Sequence, residues 1–156
     1  MAEYVSTDRT NYFRVRDIDA FKADLANHGI SHRDWNDHHY ADVILDESSD
    51  NLPQGAIALF AEDGWPSFDP QIADELQLEE FETEYEGIED LIAAHLVPTD
   101  VAIVMGAGAE KQRYIDGYAI AVNATGQTRE ITLSSIYSLA EEIKPEDGAP
   151  ITLAQY

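Results

Sequence analysis

The side chains in this sequence that are best suited to do chemistry are carboxylates. They are densest in one stretch and form a candidate partner-binding set: Asp74, Glu75, Glu79, Glu80, Glu82, Glu84, Glu86, Glu89 and Asp90. On a helix, carboxylates three or four residues apart lie ~5 to 6 Å from each other, while one DNA strand carries a phosphate charge every ~3.4 Å along its axis. Rows of these carboxylates could therefore bind the lysines and arginines of a nucleic-acid groove.

The carboxylates are also unevenly distributed along the chain. Between Arg33 and Lys111 there is no lysine or arginine, and 20 of the 31 acidic residues fall in this acidic segment, residues 34–110. Adaptation to high salt would spread acids over the whole chain, yet the remaining residues hold 11 acids against nine bases. Such concentrated charge repels itself in the folded state, so the segment predicts a positively charged partner. A solvated acidic surface without a partner, or a halophilic origin, stays open as an alternative.

The second candidate group combines histidines and aspartates in a short stretch: His28, His32, Asp34, Asp37, His38 and His39. Imidazole and carboxylate together suit zinc, nickel or iron, and on a strand His32 and Asp34 would point to the same side. No established ligand motif such as His-Glu-x-x-His is present. A small metal-binding protein or enzyme centred on the His28–His39 cluster is therefore the alternative function, and we assign no metal ligand and no cofactor.

Other routes to catalysis have little support in the sequence. The chain contains no cysteine, which excludes thiolate chemistry. The stretch from Gly106 to Lys111 lacks the spacing of a phosphate-binding loop, and we interpret it as a bend at the end of a strand. Ser134 and Ser135 lack a nucleophile-elbow pattern and are interpreted as helix caps. We therefore assign no catalytic residue and predict that the protein is not an enzyme.

Composition limits the classes of partner. A formal net charge of −22 argues against direct binding to nucleic acid or to an anionic membrane, because both are negatively charged. A hydrophobic share of 44% argues against disorder. No apolar run approaches the ~18 residues of a transmembrane helix, and the N-terminus has no secretory pattern. The sequence predicts a cytoplasmic protein whose macromolecular partner is basic and whose oligomeric state is open.

The elements that must position the candidate groups begin with a strand over residues 11–16. A helix follows over 17–28, with Asp17 as N-cap and Gly29 as its stop. Residues 40–46 and 55–61 have the composition of two strands and predict a hairpin. Trp65 and Phe68 lie in a proline-rich loop, and one of them is expected in the core. Apolar spacing then predicts a helix over about 87–96.

The last third of the chain predicts more strands. Residues 100–105 are apolar and β-branched, which is typical of a central strand. Residues 113–122 and 127–133 form a predicted hairpin, because Asn123 and Gly126 suit a tight turn. A helix through Ile143 follows, and 151–153 could add an edge strand. The whole predicts one α+β domain, residues 1–156 with a C-terminal tail over 144–156. Its mostly antiparallel sheet has about five to six strands, with two to three helices packed on one face.

Parts of the sequence resemble a group of small acidic proteins encoded on plasmids, phages and integrative elements. The resemblance rests on Gly108-Ala109-Glu110-Lys111-Gln112-Arg113-Tyr114, on Gly117 to Asn123, on Ile136-Tyr137 and on the Asn11 to Val15 start. It covers the first predicted strand and roughly the last third of the chain. It implies a mobile genetic element in a prokaryotic host. In its extreme acidity the chain is also similar to DNA-mimic anti-restriction and anti-CRISPR proteins.

These observations together predict a function for the acidic segment. We expect a mobile-element inhibitor that binds a basic nucleic-acid-binding protein or host defence complex. It would act without catalysis, as an acidic mimic that occupies a Lys/Arg-rich groove. The metal-binding protein or enzyme of the His28–His39 cluster, and an acidic accessory protein with another partner, are the alternatives.

Overall fold

The computed structural model describes residues 4–47, 53–62, 64–66, 68, 85–110, 114–145 and 150–151. Within these residues the chain forms an α+β fold with eight strands and three helices. The strands are β1 (Tyr4–Thr10), β2 (Phe13–Arg14), β3 (His32–Asp34), β4 (Val43–Asp46), β5 (Ala56–Glu62), β6 (Val101–Glu110), β7 (Tyr114–Asn123) and β8 (Thr128–Thr132). The helices are α1 (Ile18–Asn27), α2 (Ile88–His95) and α3 (Ser135–Ile143).

The strands form one mixed sheet in the order β3-β4-β5-β1-β6-β7-β8, with β2 paired to β5 beside this path. Neighbouring strands are antiparallel except for β3 and β4, which pair in parallel. The predicted α+β class is thus confirmed. The predicted count of five to six strands is too low, since β1 and β3 were not predicted, and the sheet is not antiparallel throughout.

The polar strand β1 lies near the middle of the sheet, between β5 and β6. It was not predicted because its sequence, Tyr-Val-Ser-Thr-Asp-Arg-Thr, has no apolar alternation. Asn11 ends it: the side-chain Oδ1 accepts from Ile103 N at 2.7 Å and Nδ2 donates to Val101 O at 3.1 Å. These two side-chain hydrogen bonds pair with backbone groups of β6 that the backbone of a longer β1 would otherwise bond. The chain can then leave β6, and β2 pairs with β5 instead.

Two helices cover one side of the sheet, which we call the helix side. Asp17 caps α1 as predicted, because its carboxylate accepts from the backbone N–H groups of Asp19 and Ala20. Gly29, with a φ of 71°, ends the helix. The predicted helix over 87–96 is α2, whose buried residues pack toward the sheet: Ile88, Leu91, Ile92 and Ala93.

The core lies between this sheet and these two helices. Its largest fully buried side chains come from both layers: Phe13, Phe21, Leu25, Val43, Leu45, Ile57, Leu59, Ile88, Leu91, Ile92, Leu96 and Val104. Phe68 belongs to this core at 4% exposure, and Trp65 is half-buried against it. The expectation that one of these two aromatic residues is in the core is therefore confirmed.

The predicted helix through Ile143 is formed as α3, but its apolar side chains do not join the core. No residue of α3 is buried, although the helix contacts β8. Ser134 precedes α3 without a side-chain cap, whereas Ser135 Oγ accepts from Thr132 N at 3.3 Å. Two helices thus pack on the helix side, which agrees with the predicted two to three. Ile151 lies outside any strand, and residues 152 and 153 of the predicted edge strand lie outside the described residues.

The predicted hairpins are both formed. β4 and β5 are antiparallel neighbours, as are β7 and β8. Asn123 Oδ1 accepts from the N–H groups of Thr125 and Gln127, and Gly126 has a φ of 76°. In the described part of the chain, no helix has the length and apolar character needed to cross a membrane.

Candidate partner-binding surface

Three of the nine predicted partner-binding carboxylates lie in the described residues, at the start of α2. Glu86 is exposed, and Glu89 and Asp90 are half-buried. Asp90 Oδ2 accepts from Glu86 N at 3.0 Å, and Glu89 folds back over Gly87, where a Cβ would lie 2.5 Å from Glu89 Oε2. Negative charge suits a helix N-terminus because of the helix dipole. The other six, Asp74, Glu75, Glu79, Glu80, Glu82 and Glu84, lie outside the described residues.

No lysine or arginine in the described ranges forms an ion pair with these three carboxylates. Among the described residues, the Lys and Arg ion pairs use other acids: Arg14 with Asp100, Lys22 with Asp34 and Glu47, and Lys144 with Glu141. The three carboxylates at the start of α2 therefore keep their charge available on the helix side, at the end of the predicted binding stretch. Such an arrangement can attract a basic surface without any further chemistry.

The structure also joins α1 to α2 through a polar cluster around Asp24, which was not predicted from the sequence. Asp24 Oδ2 accepts from Tyr85 OH at 3.0 Å and lies 2.8 Å from His95 Nε2. His28 Nδ1 lies 2.9 Å from the backbone oxygen of Asp24, and the His28 ring contacts the Tyr85 ring in a tilted arrangement, with the ring centroids 5.0 Å apart. The only signal in the sequence is the i,i+4 spacing of Asp24 and His28. The cluster holds the two helices and the end of the acidic stretch together.

The histidines of the His28–His39 cluster are spread over three places. His28 belongs to the Asp24 cluster, His32 lies on β3, and His38 and His39 are exposed in the loop after it. Asp34, beside His32, pairs with Lys22 at 3.7 Å. Within the ranges that the structure describes, no three His, Asp or Glu side chains are placed to hold a metal ion.

A buried carboxyl group lies on the helix side of β1. Asp8 is 3% exposed, its Oδ1 accepts from Tyr118 OH at 3.2 Å, and its Oδ2 has no hydrogen-bond partner among the described residues. Burial raises the pKa of Asp8, because an ionised carboxylate loses its hydration there. The adjacent cavity of about 200 Å³ is lined by Ser6, Trp65, Asp116 and glycine backbone.

Gly106 makes this close packing possible. A Cβ at this position would overlap Asp8 Oδ1 and lie 2.8 Å from Tyr118 Cε1. The predicted bend at Gly106 is wrong, since β6 continues through it to Glu110. The glycine serves instead to admit two polar side chains above the strand. Asp8, Tyr118 and Ser6 thus line one cavity, and we assign the buried pair of Asp8 and Tyr118 a structural role, because the hydrogen bond between them joins β1 to β7.

Comparison with known proteins gives no relative for this chain. No protein-family model, no curated protein and no solved structure matches it.

Proposed function

We propose that the protein is a non-enzymatic inhibitor that binds the nucleic-acid groove of a basic host complex, in the prokaryotic cytoplasm, as a nucleic-acid mimic. The observation that carries the proposal is the acidic segment, which places 20 carboxylates between Arg33 and Lys111 without a single lysine or arginine. So many like charges in one folded domain lower its stability, because they repel one another. A positively charged partner gives that arrangement a use.

The described end of the segment supports this proposal. Glu86, Glu89 and Asp90 lie at a helix N-terminus on the helix side and are not used in the ion pairs of the described residues. Their helix is held by the core and by the Asp24 cluster, so the charges are presented on a rigid support. Carboxylates that are already ordered lose little entropy on binding, which favours affinity.

The first test measures competition. A Cas nuclease complex or a restriction enzyme from the host is bound to labelled DNA, and the purified protein is titrated in. We expect DNA to be displaced, and the affinity of the protein for the complex to fall steeply between low and physiological salt, because paired charges are screened. Equal binding to free and DNA-loaded complexes, or affinity that is independent of salt, contradicts mimicry.

The second test locates the binding charge. We expect a variant with Glu79, Glu80, Glu82, Glu84 and Glu86 all changed to Gln to lose affinity at least tenfold, mainly through slower association. Its free energy of unfolding should hold or rise slightly, because like-charge repulsion is removed. Surface plasmon resonance gives both rate constants, and urea unfolding gives stability.

A matched control removes the same number of charges elsewhere. It combines Asp17→Asn, Asp19→Asn, Asp116→Asn, Glu130→Gln and Glu141→Gln, all at exposed positions outside the acidic segment. Asn keeps the N-cap at position 17. This control should bind within about twofold of the parent if the segment is the contact. Equal loss in both variants would show that only net charge matters, and parent-like binding by the segment variant would refute the proposal.

A further inference from the structure

The side of the sheet opposite the helices has a chemistry unlike the rest of the protein. We call it the open face: the outward side chains of β1, β6, β7 and β8. Large apolar residues are exposed there, including Val5 at 58%, Ile115 at 75% and Ile131 at 67%. Contiguous apolar surface of this kind on a protein usually marks a contact site.

Charge on the open face is also reversed relative to the whole molecule. Among the described side chains that these four strands direct outward, none is a carboxylate, and two are basic, Arg9 and Arg129. In a chain of net charge −22, two copies can approach with less repulsion through these four strands than through a surface that carries carboxylates. A groove of about 490 Å³ runs along it, lined by Arg9, Met105, Ala107, Ala119, Ile131 and Leu133.

The same chain carries a second apolar surface that is equally uncovered. Along α3, Ile136, Leu139 and Ile143 recur at three- and four-residue spacing and are 58%, 55% and 85% exposed. They form one apolar stripe along the helix, and Glu142 lies beside Leu139 on its edge. The stripe is thus an apolar surface with an acidic border, whereas the open face is an apolar surface that carries arginines.

The turn between β8 and α3 is held by contacts to the neighbouring strand β7 and within the turn itself. Leu133 packs over Gly117, where a Cβ would meet Leu133 Cδ1 at 3.3 Å, and Leu133 N donates to Gly117 O at 2.8 Å. Ile136 N donates to Leu133 O, and Thr132 Oγ1 lies 2.7 Å from Ser134 Oγ. These contacts fix the direction of α3, and in that direction its stripe is exposed.

We propose that the protein forms a two-fold dimer in which α3 of each copy packs on the open face of its partner. Each copy then gives one helix and receives one, so the contact closes at two copies. A helix packed on a sheet is also the usual way to cover an apolar sheet face. Glu142 approaches the arginines of the other copy's open face. This inference is independent of the proposed function, because it uses neither the predicted partner-binding carboxylates nor the helix side.

Cysteine cross-linking tests the geometry directly, since the chain has no native cysteine. Two differently sized tagged copies are made, one with Leu139→Cys on α3 and one with Ile131→Cys on β8. After mixing and mild oxidation, we expect the mixed disulfide between positions 139 and 131 to form faster than either like pair. Predominant 131–131 cross-linking would show sheet-on-sheet stacking, and no cross-link would show a monomer; either result overturns the proposal.

Equilibrium sedimentation tests the energetics. We expect the parent to be a dimer, and Leu139→Asp to raise the dimer dissociation constant by about tenfold or more, since burying an unpaired carboxylate is costly. The control is Ser138→Asp, which adds the same charge to the same helix at an exposed position opposite the stripe. It should change the constant by less than about threefold. A monomeric parent, or equal effects of both substitutions, contradicts the inference; circular dichroism verifies that both variants are folded.

Discussion

At the scale of single residues, the fold depends on a few polar positions near the middle of the sheet. Asp8, Tyr118 and Gly106 contact one another across β1, β6 and β7. Burying a carboxyl group in a central strand lowers stability unless the group is neutral or its oxygens are hydrogen-bonded. Burial raises the pKa of Asp8 because it disfavours the charged form, while the hydrogen bond that Tyr118 donates to one oxygen acts in the opposite direction.

The close contact of Gly106 with Asp8 predicts the effect of adding a side chain at this position. Replacement by alanine places a methyl group where Asp8 Oδ1 lies, and the side chain of Tyr118 must also move. We expect Gly106→Ala to lower the free energy of unfolding by about 1 to 3 kcal/mol, which is typical of overpacking. In an Asp8→Ala background most of this cost should disappear, and urea unfolding of the four proteins measures the coupling. An unchanged cost in that background would mean that the carboxyl group is not what the methyl group displaces.

The raised pKa of Asp8 predicts how the stability of the fold depends on pH. Because the folded state holds the proton of Asp8 more tightly than the unfolded state, stability contributed at this site is greatest at low pH. It is lost as pH rises from the ordinary aspartate pKa through the raised one. Asp8→Asn cannot titrate, so the stability of the parent minus that of the variant should fall with pH over this window. Urea unfolding between about pH 3.5 and 7 measures the difference; a difference that rises with pH would contradict the burial argument.

At the scale of elements, β2 is too short to hold its place by pairing alone. Asp100, just before β6, accepts from the backbone N of Arg14 at 2.9 Å and from its Nε at 3.0 Å. Val97 N donates to Arg14 O, and Arg16 N donates to His95 O, which joins β2 to the end of α2. The two-residue strand is therefore fixed by contacts with a loop and a helix as well as with β5.

This arrangement predicts the effect of Asp100→Asn. The hydrogen bonds from Arg14 hold the pKa of Asp100 below its usual range, so the ionised carboxylate stabilises the fold. We expect a loss of about 1 kcal/mol at neutral pH, since Arg14 is partly exposed to solvent. The loss should vanish as pH falls below the ordinary aspartate pKa toward the lowered one. Glu141→Gln, which breaks the exposed pair with Lys144, should leave the urea midpoint unchanged; equal effects would leave Asp100 without a special role.

At the scale of the whole molecule, the two sides of the sheet differ in charge and polarity. The helix side carries Glu86, Glu89 and Asp90, while the open face carries exposed aliphatic residues with Arg9 and Arg129. The two proposals therefore predict opposite effects of salt. Binding of a basic complex should weaken with salt because attraction is screened, whereas the dimer should strengthen because repulsion between two acidic copies is screened. Measuring the affinity for the basic complex and the dimer dissociation constant between about 50 and 500 mM NaCl therefore tests the two proposals separately.

The sequence by itself determined the elements whose signals are local. Asp17 and Gly29 mark the ends of α1, the apolar spacing predicts α2, and Asn123 to Gly126 predicts the β7–β8 hairpin; all are present. Local signals suffice there because caps, amphipathic spacing and tight turns depend on neighbouring residues. The acidic segment is equally visible as sequence, since charge needs no fold to be counted.

Tertiary structure alone decided the features that depend on distant partners. β1 is polar and becomes a strand only because β5 and β6 pair with both of its edges, and Asp8 is tolerated only because Tyr118 and Gly106 lie beside it. Asp24 joins His95 across 71 positions of the chain. The open face could not be predicted from the sequence, because β6 and β7 carry apolar residues on both sides. Only the placement of α1 and α2 shows which side of the sheet is covered.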